Sequence, residues 1–418
     1  MLKLLLLLNV LSCQSAGKND IPENGRNIQK VKAGVESISP LADRIRYTPN
    51  QIQVGADRMS QYVPTLENKK IGLVVNPTSM VKNTHLVDTL YKKKIQITKI
   101  FGPEHGLQGI VDAGSKIGNS TYKETNIPVI SLYGKHHKPT VQDLEDVDIL
   151  VFDIQDVGAR FYTYISTLTY VMEAAAENNK KVIVLDRPNP NGFYVDGNIL
   201  DTASRSFVGM HPIPIVHGMT IGEYAKMLNG EKWLKNGIQC DLQVVSCLGY
   251  DHTTVYTLPI APSPNLNTQQ SIYLYPALCL LEGTIVSMGR GTPEPFTVVG
   301  YPSYTKGNYS FTPEVTTGNK APLYKGELCN GYALKDKASV IFKTKKIPLE
   351  WLLLLYKNSD KKKKDFFNTF FEKLAGGKML QKQIKAGKTE AQIRKSWEKG
   401  LKEFKLIRKK YLLYKDFE

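Results

Sequence analysis

Between Lys70 and Pro190 five short apolar runs recur, each followed by an amphipathic or turn-forming segment. They are Ile71-Gly72-Leu73-Val74-Val75, Ile95 to Phe101, Val129 to Tyr133, Ile149 to Asp153 and Val182 to Asp186. Runs this short and this rich in Val, Ile and Leu predict strands rather than helices. His85 to Lys93 and Thr163 to Asn178 predict helices between them. Near-continuous apolar strands separated by helices require a parallel sheet covered on both faces. The fold class is therefore α/β.

Polar residues gather where these strands end: Asn76, Glu104, His105, Asp153, Gln155, Asp156, Asp186, Arg187 and Asn189. In a doubly wound sheet such ends share one edge, where ligands bind. Some of these Asp and Asn side chains are expected to cap the helices that follow. Phe101-Gly102-Pro103-Glu104-His105-Gly106 is the most informative stretch. It sets a carboxylate beside an imidazole, between a Pro and a Gly that shape the turn. A partly desolvated carboxyl at such a place can donate a proton near neutral pH.

Nucleotide-binding signatures are absent: no GxGxxG opens a helix and no GxxxxGK[ST] occurs. HExxH is also missing, and no metal or cofactor is expected. Ser79-Met80-Val81-Lys82 matches SxxK without its partner motifs. The net charge is +16, from 55 Lys and Arg against 39 Asp and Glu. Much of the excess lies in the last quarter, including Lys361 to Lys364. The lysines fall on several helical faces and no nucleic-acid motif accompanies them, so no nucleic-acid partner is expected. Cys240, Cys247, Cys279 and Cys329 lack zinc-type spacing and read as buried free thiols.

Cys13 differs. Lys3, the apolar run Leu4 to Leu8, and Ser12-Cys13 resemble a bacterial lipoprotein signal, too short to span a membrane. Cleavage before Cys13 and lipid on its sulfur are expected, with residues 1–12 as signal and 13–49 as a flexible tether. The protein would then be lipid-anchored at a membrane, in the periplasm or at the cell surface. Oligomeric state is not legible.

Beyond Ser204 the texture changes. Thr220 and Glu223 predict a capping box that opens a helix. Cys240 to Val245 predicts a strand, and Pro262-Ser263-Pro264-Asn265 a loop. Gly289-Arg290-Gly291-Thr292 places a guanidinium on a permissive backbone, suited to an anionic group or to a surface turn. From Leu349 onward the pattern is helical.

Several stretches occur together in one order: Asn76-Pro77-Thr78, the Glu104 hexapeptide, Phe152 to Tyr164, Leu185 to Pro190, His217-Gly218-Met219-Thr220, Pro262 to Asn265, Glu282-Gly283-Thr284, and Gly289 to Thr292 with Pro295-Phe296. In this the chain resembles the NamZ-type exo-β-N-acetylmuramidases, from about Gly55 to the end. The resemblance implies a Rossmann-like domain at 50–204 and a smaller α/β domain at 205–418, with a cleft between them. It also implies a glycoside hydrolase that releases terminal N-acetylmuramic acid from the non-reducing ends of peptidoglycan fragments. The alternative is a non-catalytic lipoprotein that binds such fragments. The chain departs from the family pattern at Ile285 and near Met288.

Glycoside cleavage usually needs two carboxyl groups. Glu104 is the expected proton donor, with His105 supporting it. Asp156 or Asp153 would serve as base or nucleophile, Glu282 is another candidate, and the sugar's own 2-acetamido group is a third route. Arg290 and Arg187 are candidates to grip the lactyl carboxylate bidentately. Tyr162 offers stacking or a hydroxyl, and Arg160 either a sugar contact or an ion pair with Asp156. Asn76, Gln155 and His217 complete the expected binding set.

Overall fold

The computed structural model describes residues 52–107, 120–123, 125–316, 318–359 and 365–418. Cys13, the tether and Lys361 to Lys364 lie outside them. Seven strands form the main sheet: β1 (Lys70–Val75), β2 (Gln96–Gly102), β3 (Ser120–Tyr122), β4 (Ile127–Ser131), β5 (Ile149–Asp153), β6 (Lys181–Leu185) and β7 (Asp241–Val245). Their order is β3-β4-β2-β1-β5-β6-β7. All neighbours pair in parallel except β3 with β4. The five strands read from the apolar runs are all present. β7 reaches the sheet from beyond residue 204, so the sheet extends past that point in sequence.

The strands are apolar on both sides because each side meets its own core. Ile71, Leu73, Val75, Ile149, Val151, Ile183 and Leu185 face one cluster, with Leu86, Val87 and Leu90 of helix α1 (Leu86–Lys92). Val74, Leu150, Phe152, Val182 and Val184 face the other. There they meet Ile165, Leu168 and Val171 of α2 (Tyr164–Glu177) and Ile221, Ala225 and Leu228 of α3 (Ile221–Gly230). Period-two alternation thus survives as a choice between two cores, not between core and water. Thr220 and Glu223 form the reciprocal capping box at the start of α3.

The remainder is smaller and mixed. It holds α4 (Gln269–Leu278) and an antiparallel sheet of β8 (Val298–Tyr301), β9 (Tyr309–Phe311) and β10 (Cys329–Ala333) in the order β8-β10-β9. Helices α5 (Glu350–Lys357), α6 (Phe370–Ala375), α7 (Met379–Lys385), α8 (Glu390–Lys395) and α9 (Glu398–Lys409) follow. The second core runs without a break from Phe152 under the large sheet to Phe371 and Phe404. The two parts therefore share one interior, within a single compact unit.

The strand order reverses at β1, between β2 and β5, and the crevice expected at such a point is filled by a polar turn. Asn76 accepts from the Thr78 N–H and hydroxyl at 2.9 and 2.6 Å. The Gln155 N–H donates to the Thr78 hydroxyl at 3.0 Å. Ser79 is buried and donates to the Asp153 carbonyl, while Lys82 is exposed. The SxxK stretch is thus a closed turn, not a nucleophile with its base.

Candidate active site

A cavity of about 210 Å³ opens beside this plug, between the sheet edge and the C-terminal part. Glu104, His105 and Tyr133 come from the ends of β2 and β4. Phe161 to Tyr164 come from the loop into α2, and Ser263, Asn265, Tyr275, Cys279, Glu282, Arg290 and Phe296 from the C-terminal half.

Glu104 is placed by a tight turn. The Gly106 N–H donates to the Pro103 carbonyl at 2.9 Å, and His105 takes φ of 68°. Left-handed backbone is uncommon outside glycine, though His, Asn and Asp tolerate it best. Thr163 holds the carboxyl, donating from its hydroxyl to Glu104 Oε2 at 2.6 Å. Thr163 is the N-cap residue of α2, yet its side chain makes no capping bond. The hydroxyl that would cap the helix is diverted to Glu104. This bond engages Oε2 of a carboxyl that lines the cavity.

The opposite end carries Arg290 and Glu282, 2.7 Å apart and each about a fifth exposed. Gly289 and Gly291 flank the arginine at φ of 80° and 87°. A Cβ on Gly289 would stand 2.7 Å from the Glu294 carbonyl, and one on Gly291 2.6 Å from that of Glu314. Only glycine fits either place. Burial pulls the guanidinium down, but Glu282 more than offsets this and holds it above its ordinary value. The Arg290 Nε is buried with no partner among the described residues.

Aromatic rings join the two ends. Tyr164, Tyr162, Tyr275 and Phe296 follow one another edge-on, with centroids 4.8, 5.7 and 5.0 Å apart. The Tyr162 hydroxyl donates to the Pro262 carbonyl at 2.9 Å, which ties this wall to the Pro262-Ser263-Pro264-Asn265 loop. Burial raises the Tyr162 and Tyr164 phenols well above their ordinary range, so they stay neutral donors.

Of the residues singled out in the sequence, Glu104, His105, Tyr162, Glu282 and Arg290 line the cavity. The others do not. Asp153 and Arg187 pair bidentately at 2.6 and 2.9 Å, and Arg187 also donates to the Met80 carbonyl. Asp156 accepts from the Gly158 N–H at 2.7 Å and lies 3.6 Å from His217 Nε2. Arg160 donates to the carbonyls of Asn198, Ile213 and Leu374, so its guanidinium meets backbone where an ion pair with Asp156 was anticipated. With no carboxylate against it, burial lowers it to about 9. Gln155 donates to the carbonyls of Asp156 and Pro188. Asn76 sits in the plug. Ile285 and Met288 are also outside the lining.

Thr163, Tyr133 and Phe207 are among the contributors not read as site residues from the sequence. Thr163 looked like a helix start, and its diversion to Glu104 depends on a contact 59 residues away in sequence. Tyr133 and Phe207 lie in stretches with no motif. Among the described residues, no group of three His, Cys, Asp or Glu side chains could hold a metal ion.

Comparison with known proteins agrees with this architecture. The family described as exo-beta-N-acetylmuramidase NamZ matches in both parts, its N-terminal domain over residues 71–270 and its C-terminal domain over 273–414. The peptidoglycan beta-N-acetylmuramidase NamZ of Bacillus subtilis (strain 168) is 41% identical over 407 residues, covering 90% of this chain and 95% of the relative. A crystal structure of a DUF1343 family protein from Bacteroides fragilis NCTC 9343 superposes with a TM-score of 0.81 at 45% identity, covering 87% of this chain and 99% of that one. A second protein of that family and organism gives 0.73 at 30% identity over the same shares.

Proposed function

The chain belongs to the NamZ family of exo-beta-N-acetylmuramidases, and on that premise we propose that it is an exo-acting glycoside hydrolase releasing terminal N-acetylmuramic acid from the non-reducing ends of peptidoglycan fragments. The observation that carries the reading is Glu104, fixed by Thr163 at 2.6 Å on the wall of a cavity with a guanidinium at its far end. Glu104 gives its proton to the glycosidic oxygen as the bond to the anomeric carbon breaks. The bond from Thr163 orients the carboxyl so that one oxygen is committed and the other meets the leaving group. Arg290 holds the lactyl carboxylate of the sugar through donors that Glu282 leaves open. The second cavity carboxylate, Glu282, is already engaged by Arg290, which favours attack by the sugar's own 2-acetamido oxygen over a protein nucleophile.

The direct test is incubation with an N-acetylmuramic acid–N-acetylglucosamine disaccharide and mass spectrometry of the products, beside the Glu104→Gln variant. Free N-acetylmuramic acid from wild type alone supports the reading. Binding without cleavage by either protein overturns it. A lipid on Cys13 belongs to the same proposal, supported by Lys3, the Leu4 to Leu8 run and Ser12 before the cysteine. Cys13→Ser then releases the protein from membranes, as fractionation reads directly.

A further inference from the structure

The cavity wall past Glu104 is built for contact rather than chemistry. The Leu132 N–H donates to the Gly102 carbonyl at 2.8 Å, so the chains leaving β2 and β4 run side by side. Tyr133 therefore stands next to the turn that carries Glu104. Phe207, from a loop outside any helix or strand, joins it at the cavity.

The two rings are backed by others. Phe207 stacks on His137 with centroids 4.0 Å apart and planes at 29°. Tyr170 lies beside both rings, 6.3 Å from His137 at 18° and 6.3 Å from Phe207 at 11°. Tyr133 meets His137 edge-on at 6.0 Å and Phe207 at 6.5 Å. One face of Phe207 is thus taken by an imidazole, and the half-buried ring still lines the cavity. Desolvation lowers the proton affinity of His137, so it backs Phe207 as a neutral flat ring at neutral pH. The Ser206 and Gly209 N–H groups each donate to the other's carbonyl, at 2.9 and 3.0 Å, and close the turn that presents Phe207; the stack sets the plane of its ring.

We propose that Tyr133 and Phe207 form the platform for the leaving sugar, the ring on the reducing side of the bond that is cut. The inference rests on the reading of Glu104 as proton donor. A donor to the glycosidic oxygen stands between the ring that stays and the ring that leaves. Arg290 and Glu282 occupy the end given to the terminal sugar, so the aromatic wall beside Glu104 takes the other one. A pyranose such as N-acetylglucosamine presents an apolar face of C–H groups, which packs on aromatic rings held flat. The platform recognises shape and apolar area, not charge.

The test compares two substrates that share the terminal sugar. One is the N-acetylmuramic acid–N-acetylglucosamine disaccharide; the other is the methyl β-glycoside of N-acetylmuramic acid, which has no second ring. Phe207→Ala and Tyr133→Ala are expected to lower kcat/KM on the disaccharide about tenfold, equivalent to about 1.4 kcal/mol. On the methyl glycoside the change stays within about twofold, since no ring is there to lose contact. Phe207→Tyr keeps the aromatic face and most of the rate. Arg290→Ala serves as control and weakens both substrates alike. Equal losses on both substrates in the Phe207 and Tyr133 variants overturn the platform and leave the hydrolase reading standing. Wild type that cleaves neither substrate overturns the hydrolase reading, and the platform with it.

Discussion

Two carboxylate–arginine pairs flank the same crevice and do opposite things. Asp153 and Arg187 are almost wholly buried and joined by two bonds, and the Nη2 that makes one of them also donates to the Met80 carbonyl. Glu282 and Arg290 share one contact, remain about a fifth exposed, and leave the Arg290 Nε without a partner among the described residues. For the buried pair, desolvation lifts the Asp153 carboxyl and pulls Arg187 down. Their mutual attraction opposes both effects and prevails for Arg187. Residue type and place at a sheet edge do not separate a site from a brace. The cavity does: Glu282 and Arg290 line it, and Asp153 and Arg187 do not.

That distinction breaks first if the largest effects fall in the wrong place. Glu104→Gln is expected to lower kcat by about 10²–10⁴-fold, the range for loss of a general acid, with the melting temperature unchanged. Asp153→Ala should do the reverse. It strands Arg187 in the interior and costs about 3–5 kcal/mol in urea unfolding, while molecules that remain folded keep their activity. Glu282→Ala should cost less than this in the same assay, because its pair keeps about a fifth of its surface in water. A Glu282 variant that unfolds as readily as the Asp153 variant would erase the contrast.

Much of this was legible in the sequence, for stated reasons. Apolar runs without alternation announced a sheet with two covered faces, and Ile71 and Val74 now mark the two cores. The Thr220–Glu223 box was local and came out as read. Strand β3 was not read, because a three-residue edge strand carries no periodic signal. For the site, Glu104 and Arg290 stood out because their turns carry Pro and Gly at positions that need them. Asp153, Asp156 and Arg187 looked equally good. What separates them is which donors surround them in space, and spacing along a chain does not report that. Phe207 was invisible because its ring is set by His137, Tyr170 and Tyr133, all more than 30 residues away in sequence.

Two further substitutions sharpen the cavity's own polarity. Arg290→Leu is expected to raise KM about 10- to 100-fold on substrates with a free lactyl carboxylate, the loss of a charge-assisted bond of about 1.5–3 kcal/mol. Blocking that carboxylate as an amide should narrow the gap between wild type and variant, as initial-rate kinetics on the two substrates will read. Thr163→Val removes the hydroxyl that holds Glu104. It should lower kcat about tenfold on the disaccharide and less on an aryl glycoside, whose leaving group needs little proton donation. A uniform loss on both would mark Thr163 as a packing residue.

The last expected effect is on stability alone and concerns Asp186, at the end of β6. Its Oδ1 accepts the N–H groups of Arg187 and Gly222 at 3.0 and 2.8 Å, and its Oδ2 the hydroxyls of Thr220 and Tyr414 at 2.8 and 2.5 Å. Burial nevertheless outweighs these donors and lifts the carboxyl from 3.8 to about 6. A raised folded-state value means the native protein binds this proton more tightly than the unfolded chain does. The stabilising contribution is therefore complete below about pH 4 and is lost as pH rises through about 6. Asp186→Asn carries no titrating group there. Whatever constant penalty that variant bears, its unfolding free energy should gain on wild type between about pH 4 and 6, and run parallel above. A difference that moves the other way would mean that the four donors govern this carboxyl instead. Hydrogen bonding, not burial, would then set the proton affinity of this carboxyl at the sheet edge.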